Sequence, residues 1–302
     1  MNLKRITDVF LILLFVTIFT TPSISSTLKT PSISPAFKTP INLSANSFSE
    51  LLDKSKKAEK AGHMEEALKL LKEANKLKPE DIVVIWNIAK LYHANNNNQK
   101  CIDWCNKGLQ IDERSTSLLL GRGIAQKEEG NLDKAEADLK KAINIDPTWE
   151  VPYIVLGEVY EKYPNKEFDD EGLLKLAIKN YEKGLILAKT NNNKELEKYV
   201  KSELIIALIN VFPDDDSKAL KYRKRAVELG PNLWITNYKL AEQYNRDGKL
   251  KEASKWAQKA MGINGIPDSE KTKCESIIYE AYVSSLKSGE RKVQSIKDAV
   301  AK

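Results

Sequence analysis

The sequence has few residues of the kinds that carry chemistry or break helices. Its 302 residues include three cysteines, two histidines and 13 glycines. Three cysteines are too few, and odd in number, for a disulfide framework. Two histidines leave a nucleophile with little chance of an activating base. Sparse glycine, together with 30% charged residues, favours helix over sheet.

A strong charge of one sign is also missing. The formal net charge is +6, and lysine and glutamate alternate along most of the chain. Such mixing is typical of solvated helix faces and not of a basic stripe that contacts phosphates. We therefore predict no nucleic-acid partner.

The apolar run near the amino terminus, Val9–Phe19, is shorter than the roughly 20 residues that cross a bilayer. Lys4 and Arg5 precede it and small residues follow it, so residues 1–25 are predicted to be a secretory signal. We expect an exported protein of the periplasm, cell envelope or extracellular space. The alternative is an uncleaved membrane anchor, with membrane association through residues 6–21.

Proline is concentrated after this run. Thr21-Pro22, Thr30-Pro31 and Thr39-Pro40 follow one another at steps of nine residues, with serine and threonine between them. Such a composition cannot bury enough apolar surface to fold. Residues 26–47 are therefore predicted to be an extended linker.

One stretch sets the pattern for most of the remaining chain. Apolar and polar residues in 116–147 follow the spacing of two amphipathic helices. Gly130-Asn131 separates the two helices, and Pro147 ends the second one. Small residues at Gly123 and Ala135 recur with larger apolar residues between them. This spacing resembles the tetratricopeptide repeat, and the resemblance implies an all-α solenoid of antiparallel helix pairs.

Steps of 34 residues from Thr116 give further repeats that begin near Phe48, Ile82 and Glu150. Extra residues around 163–172 and 189–199 then delay the fifth repeat, and we expect most of the second insertion to lengthen its first helix as far as Phe212. A sixth repeat begins at Trp234. We predict about six repeats over residues 48–267 and C-terminal capping helices over 268–302, one from Asp268 to Ser288 and a short one from Arg291.

No motif supports catalysis, a cofactor or a metal. Cys101 and Cys105, near His93, could be zinc ligands, but the repeat register places both at packing positions. Gly121-Arg122-Gly123 lacks the strand and third glycine of a dinucleotide loop. Asp169-Asp170-Glu171 and Asp214-Asp215-Asp216 precede helices, where carboxylates complement the dipole, and calcium is their alternative. We predict that the protein is not an enzyme.

The resemblance also implies a concave groove, lined by the first helix of each repeat, that holds a peptide or a partner protein. The fifth positions of these helices are apolar or aromatic, and the ninth positions mix charged and apolar residues. The predicted groove residues are Trp86, Leu120, Ile154, Leu204 and Tyr238 in the first row and Lys90, Ile124, Glu158, Leu208 and Glu242 in the second. The alternative is that some of them, Leu204 and Leu208 first, pack between helices.

One branch of the family clamps the carboxylate end of chaperone tails with lysine, arginine and asparagine. At the corresponding positions only Asn87 agrees, since the third repeat has Ser117 and Gly121 in place of cations. We therefore predict a non-catalytic scaffold that binds another protein or peptide. The alternative is a membrane-anchored structural subunit that works by self-association.

Overall fold

The structure of the protein, a computed structural model, describes residues 41–163, 170–210 and 219–300, with side chains from 47 to 163, 172 to 210 and 219 to 288. Within these ranges every regular element is an α-helix. The first seven helices are α1 (Ile41–Lys60), α2 (Met64–Leu77), α3 (Ile82–Ala94), α4 (Asn98–Ile111), α5 (Thr116–Glu128), α6 (Leu132–Ile145) and α7 (Glu150–Lys162). The other six are α8 (Asp170–Thr190), α9 (Lys194–Asn210), α10 (Ala219–Leu229), α11 (Trp234–Arg246), α12 (Leu250–Met261) and α13 (Asp268–Val300).

The chain forms two compact units, residues 1–159 and 160–302. In the first unit, α1 packs on α2, α3 on α4 and α5 on α6, and successive pairs then stack through α2 on α3 and α4 on α5. In the second unit, α8 packs on α9, α11 on α12, and α12 on α13. The predicted all-α architecture of antiparallel helix pairs is therefore confirmed.

The turns inside the repeats recur at the same 34-residue step. Gly62, Asn96 and Gly130 are spaced 34 residues apart. Their φ angles are all positive, at 80°, 56° and 77° respectively. A left-handed backbone favours glycine, and asparagine tolerates it better than other residues. The asparagine-rich turn between α3 and α4 thus replaces the glycine of the neighbouring repeats.

Small residues set the distance between the helices of a pair. A Cβ atom on Gly123 would lie 3.1 Å from Cγ of Leu139 and 3.4 Å from the carbonyl oxygen of Ala135. Leu139, Ala135 and Ala142 are fully buried in the same contact. Helices α5 and α6 therefore approach as closely as their backbones allow, as the repeat pattern predicts.

Three boundaries differ from the sequence prediction. Helix α1 begins at Ile41, inside the span predicted as linker. The extra residues near 189–199 lengthen two helices, because α8 runs on to Thr190 and α9 begins only at Lys194. The last two predicted helices are one, α13, because a single glycine, Gly289, costs a helix only about 1 kcal/mol. Residues 1–40, 164–169 and 211–218 lie outside the described residues, and with them the predicted signal, most of the first insertion and the predicted helix end at Phe212.

Candidate functional site

The predicted fifth-position row lies in the protein interior. Its five side chains are between 0% and 6% exposed: Trp86, Leu120, Ile154, Leu204 and Tyr238. Leu208 of the ninth-position row is buried too, as the packing alternative foresees, and so is Ile124. A binding role for these residues stays a prediction. A partner would contact the more accessible residues beside them.

Trp86 shows how a large residue becomes buried at this position. A Cβ atom on Gly121 of α5 would collide with the six-membered ring of Trp86, with Cη2 only 3.0 Å away. The indole of α3 therefore lies directly against the backbone of α5, in the space that a side chain would otherwise fill. Trp86 is thus a contact between two neighbouring first helices.

The charged residues of the ninth-position row are held by ion pairs within the protein. Lys90 on α3 pairs with Glu59 on α1, with 2.7 Å between Nζ and Oε1. Glu158 on α7 pairs with Lys127 on α5. In the second unit, Glu242 accepts hydrogen bonds from Tyr238 and from Lys239 of its own helix. These charges therefore tie helices together or brace one helix.

Lys127 is the most deeply buried of these cations. Its ammonium group pairs with Glu158 and also lies 3.1 Å from Glu128. Burial lowers the pKa of Lys127, but the attraction of the two carboxylates outweighs burial and raises the pKa above its ordinary value. Lys127 is therefore charged at neutral pH and belongs to the structure of the stack.

A second network explains the Gly-Arg-Gly sequence in α5. The guanidinium group of Arg122 donates two hydrogen bonds of 2.7 Å to Asp138 on α6 and one of 2.6 Å to Asn106 on α4. The hydrogen bonds to Asp138 raise the pKa of Arg122, so it stays charged. Gly121 faces Trp86 and Gly123 faces Leu139. All three residues serve helix packing.

Sequence reasoning missed these partners, although a signal for them exists. Glu59 and Lys90 are 31 residues apart, and so are Lys127 and Glu158. In a 34-residue repeat this separation joins the twelfth position of one first helix to the ninth position of the next. Opposite charges at that spacing predict a bridge between neighbouring repeats.

In α3 and α11 the accessible positions adjoin the buried fifth-position row and include the ninth position. In α3 they comprise the second, sixth, ninth and thirteenth positions, and Val83 is 63% exposed at the start. At the same four positions of α11 in the second unit, one residue is exposed and three are half-buried. We call these two sets the accessible stripes: Val83, Asn87, Lys90 and Ala94 in α3, and Ile235, Lys239, Glu242 and Arg246 in α11.

The three cysteines are buried. Cys101 and Cys105 lie one turn apart in α4, and Cys101 points at the carbonyl oxygen of Gly121. A hydrogen bond with Cys101, together with burial, raises the pKa of Cys105 well above its ordinary value. Burial, aided by nearby glutamates, raises the pKa of Cys274 to about 11. A protonated, buried thiol is a poor nucleophile and a poor metal ligand.

No cluster of three or more histidine, cysteine, aspartate or glutamate side chains that could hold a metal ion occurs among the described residues. Both acidic tripeptides singled out for calcium lie outside the residues whose side chains are described. Over the same described part of the chain, no helix combines the length and the apolar character that crossing a membrane requires.

Comparisons with known proteins agree with this geometry. The profile of the tetratricopeptide repeat matches residues 117–148. The human protein "FK506-binding protein-like" is 34% identical over 89 residues, which is 30% of this chain and 26% of that protein. The chain thus matches about a quarter of that relative's length.

A solved structure of a tetratricopeptide-repeat protein shows the same fold. The crystal structure of YrrB, described as a TPR protein with an unusual peptide-binding site, superposes with a TM-score of 0.51 at 17% identity, covering 68% of this chain and 97% of that one. The crystal structure of MamA gives a TM-score of 0.40 at 17% identity, covering 72% and 91%. Residues 117–148 thus match a tetratricopeptide repeat, and they lie within a chain that has the fold of such a repeat array.

Proposed function

We propose that this protein is a non-catalytic scaffold that binds a peptide or another protein along the accessible stripes of its first helices. The observation that carries the proposal is that α3 and α11 leave the same four positions exposed or half-buried while the neighbouring fifth position is buried. Each stripe begins with an apolar residue, Val83 or Ile235, and continues with polar and charged ones. Such a mixture suits an extended peptide with alternating apolar and polar side chains.

Two further points favour a scaffold. The structure of YrrB, which shares the fold, is described as having a peptide-binding site. The described polar networks also hold helices together: Arg122 is engaged by Asp138 and Asn106, and Lys127 by Glu158. Since Arg122 and Lys127 stabilise the stack, we assign binding to the accessible stripes, where Lys90 and Glu242 also pair within the protein.

Site-specific photo-cross-linking tests this surface. A photoreactive amino acid is placed at Val83 or Ile235 in the full chain, and at Ile111 or Ile186 as controls. The controls are accessible apolar residues of the second helices α4 and α8. We expect one discrete adduct from each stripe position in the native cell, and its loss when Asn87→Ala and Lys239→Ala are added. Equal adducts from the control positions would contradict the proposal.

We further propose that the protein works outside the cytosol, delivered by residues 1–25. The apolar run after Lys4 and Arg5 supports this, since its length suits a signal better than a span. Intact-mass measurement of the protein from its own cell tests it. A mature chain that begins near residue 26 is expected in an exported fraction. A chain that retains residues 1–25 in a membrane fraction would support the anchored alternative, and an intact soluble cytosolic chain would exclude both.

A further inference from the structure

A cleft lies between the second helices of the fourth and fifth repeats, α8 and α10. Both helices pack on α9, and the cleft between them has a volume of about 550 Å³. Its apolar part consists of Ile178 of α8 and Leu208 of α9, both buried, and the half-buried ring of Tyr222 of α10. Ligand sites have volumes of roughly 300–1,000 Å³, so the cleft is large enough to receive side chains of a partner.

Four exposed cations line the same cleft. They form two rows, each with a spacing of four residues: Lys175 and Lys179 on α8, and Lys221 and Arg225 on α10. Residues four apart lie on one face of a helix, so each helix presents its two cations to the cleft together. We call this cleft, with its four cations and its apolar part, the basic cleft.

Two glutamates also line the basic cleft, and both lie beside Arg225. Oε1 of Glu182 is 4.0 Å from Nε of Arg225, and Oε2 of Glu228 is 2.8 Å from its Nη1. The three side chains are 44% to 64% exposed. Ion pairs at such exposure are weak, so a carboxylate of a partner can replace either glutamate at Arg225. Four cations against two carboxylates give the cleft an excess of positive charge.

We propose that the basic cleft binds an acidic peptide segment of a partner protein, and that this segment also carries apolar side chains. The cations of both rows attract its carboxylates, and an apolar side chain between the carboxylates contacts Ile178 and Leu208. The basic cleft belongs to second helices, whereas the accessible stripes belong to the first helices α3 and α11. It therefore gives the scaffold a second binding site, selective for negative charge.

The two glutamates favour a peptide over a nucleic acid. A carboxylate in the lining repels the phosphates on which the affinity for nucleic acids depends. The same carboxylate can accept hydrogen bonds from the N–H groups of a peptide backbone. Cations, carboxylates and apolar side chains together thus match a peptide with acidic and apolar residues.

Fluorescence anisotropy with the full chain in mild detergent tests the proposal. The probe is a short labelled peptide of alternating glutamate and leucine, and a peptide of alternating glutamine and leucine is its uncharged control. We expect saturable binding of the glutamate peptide only, and added salt should weaken it because the cations are exposed. Absence of saturable binding, or equal binding of the glutamine peptide, overturns the proposal.

Charge reversal locates the binding. Lys179→Glu combined with Lys221→Glu should weaken the binding of the glutamate peptide by about tenfold or more, because like charges then face each other. Lys251→Glu combined with Lys255→Glu changes the net charge equally at two exposed lysines of α12 and should leave the affinity unchanged. Circular dichroism verifies that both variants are folded. Undiminished binding by the first variant, or an equal loss in the second, overturns the site.

Three further measurements distinguish other sites and occupants. If labelled single-stranded DNA binds more tightly than the peptide, and the double variant at 179 and 221 abolishes this, the cleft is a nucleic-acid site and the proposal is wrong. It is equally wrong if the peptide binds only after Asp214, Asp215 and Asp216 are changed to asparagine, because the chain's own acidic segment is then the occupant. Asn87→Ala with Lys239→Ala alters the accessible stripes and should leave this binding intact. A loss there would assign the peptide to the stripes instead.

Discussion

Helix α5 in the first unit and helix α13 in the second are both amphipathic, yet they differ in what covers them. Helix α5 has neighbours on each side: Gly121 receives Trp86, Gly123 receives Leu139, and Lys127 reaches Glu158. Helix α13 packs on α11 and α12 and exposes Tyr279, Tyr282 and Leu286. A helix packed between neighbours uses its polar and apolar residues to contact them, whereas α13 keeps large apolar residues exposed.

The largest effect is expected where α5 is tied to α7. Glu158→Ala leaves the buried ammonium group of Lys127 without its main partner, which should lower the free energy of unfolding by about 3–5 kcal/mol. Urea unfolding measures it. The double change Lys127→Met with Glu158→Leu should recover most of the loss, because a buried ion pair and a packed apolar pair are often of similar stability. A double variant as unstable as Glu158→Ala would contradict this account.

Overpacking the α5–α6 contact should have the next largest effect. Ala135 is fully buried against α5, so Ala135→Leu should destabilise the protein by about 1–3 kcal/mol. The neighbouring Lys134 is exposed, and Lys134→Leu should change the stability by less than about 0.5 kcal/mol. Thermal melting of both variants provides the comparison. Equal shifts of the melting temperature would show that the helical register is wrong.

Two tyrosines of the second unit compare the stability contribution of a buried hydroxyl with that of an exposed one. Tyr181 is fully buried and donates a 2.7 Å hydrogen bond to Glu161, so Tyr181→Phe should cost about 1 kcal/mol. Tyr279 is exposed on α13, and Tyr279→Phe should stay within about 0.5 kcal/mol of the wild type. Guanidinium unfolding measures both. A cost for Tyr279→Phe as large as that for Tyr181→Phe would mean that the hydroxyl of Tyr279 is engaged by a partner.

The smallest expected effect is that of a pH change near neutrality on the contribution of the Lys127 ion pair to the free energy of unfolding. The carboxylates raise the pKa of Lys127 above 10.5 in the folded chain, so folding strengthens proton binding. Its contribution to stability is therefore complete below 10.5 and is lost as pH rises through the raised pKa. The difference in unfolding free energy between wild type and Lys127→Met should stay constant at neutral pH and change only in strong alkali. A change between neutral pH and 9 would contradict the raised pKa.

Much of the architecture could be predicted from the sequence because the repeat has a fixed period. The starts of α3, α5, α7 and α11 fall at the predicted residues, since each depends on local turn and helix signals. Boundaries without such a signal were less accurate: α1 begins before Phe48, and α13 continues past Gly289. One glycine is a weak signal, and its cost is easily outweighed by the helix on either side.

The candidate site was harder to predict than the fold. The period correctly aligns Trp86, Leu120 and Tyr238, but it cannot say whether a neighbouring helix covers the row. The placement of Trp86 against Gly121 depends on the absence of a side chain 35 residues away. The accessible stripe adjoins this row, because its sixth position follows the buried fifth position by one residue, which is a rotation of roughly 100°.

The sequence by itself determined the helices, the left-handed turns at Gly62, Asn96 and Gly130, and the small residues that allow close packing, because these depend on neighbours within a turn or on a fixed period. The tertiary structure decided which residues remain available. Burial is a property of the stack, so only packing could turn Trp86 inward, engage Lys127 with Glu158, and leave Val83, Ile235 and one face of α13 open.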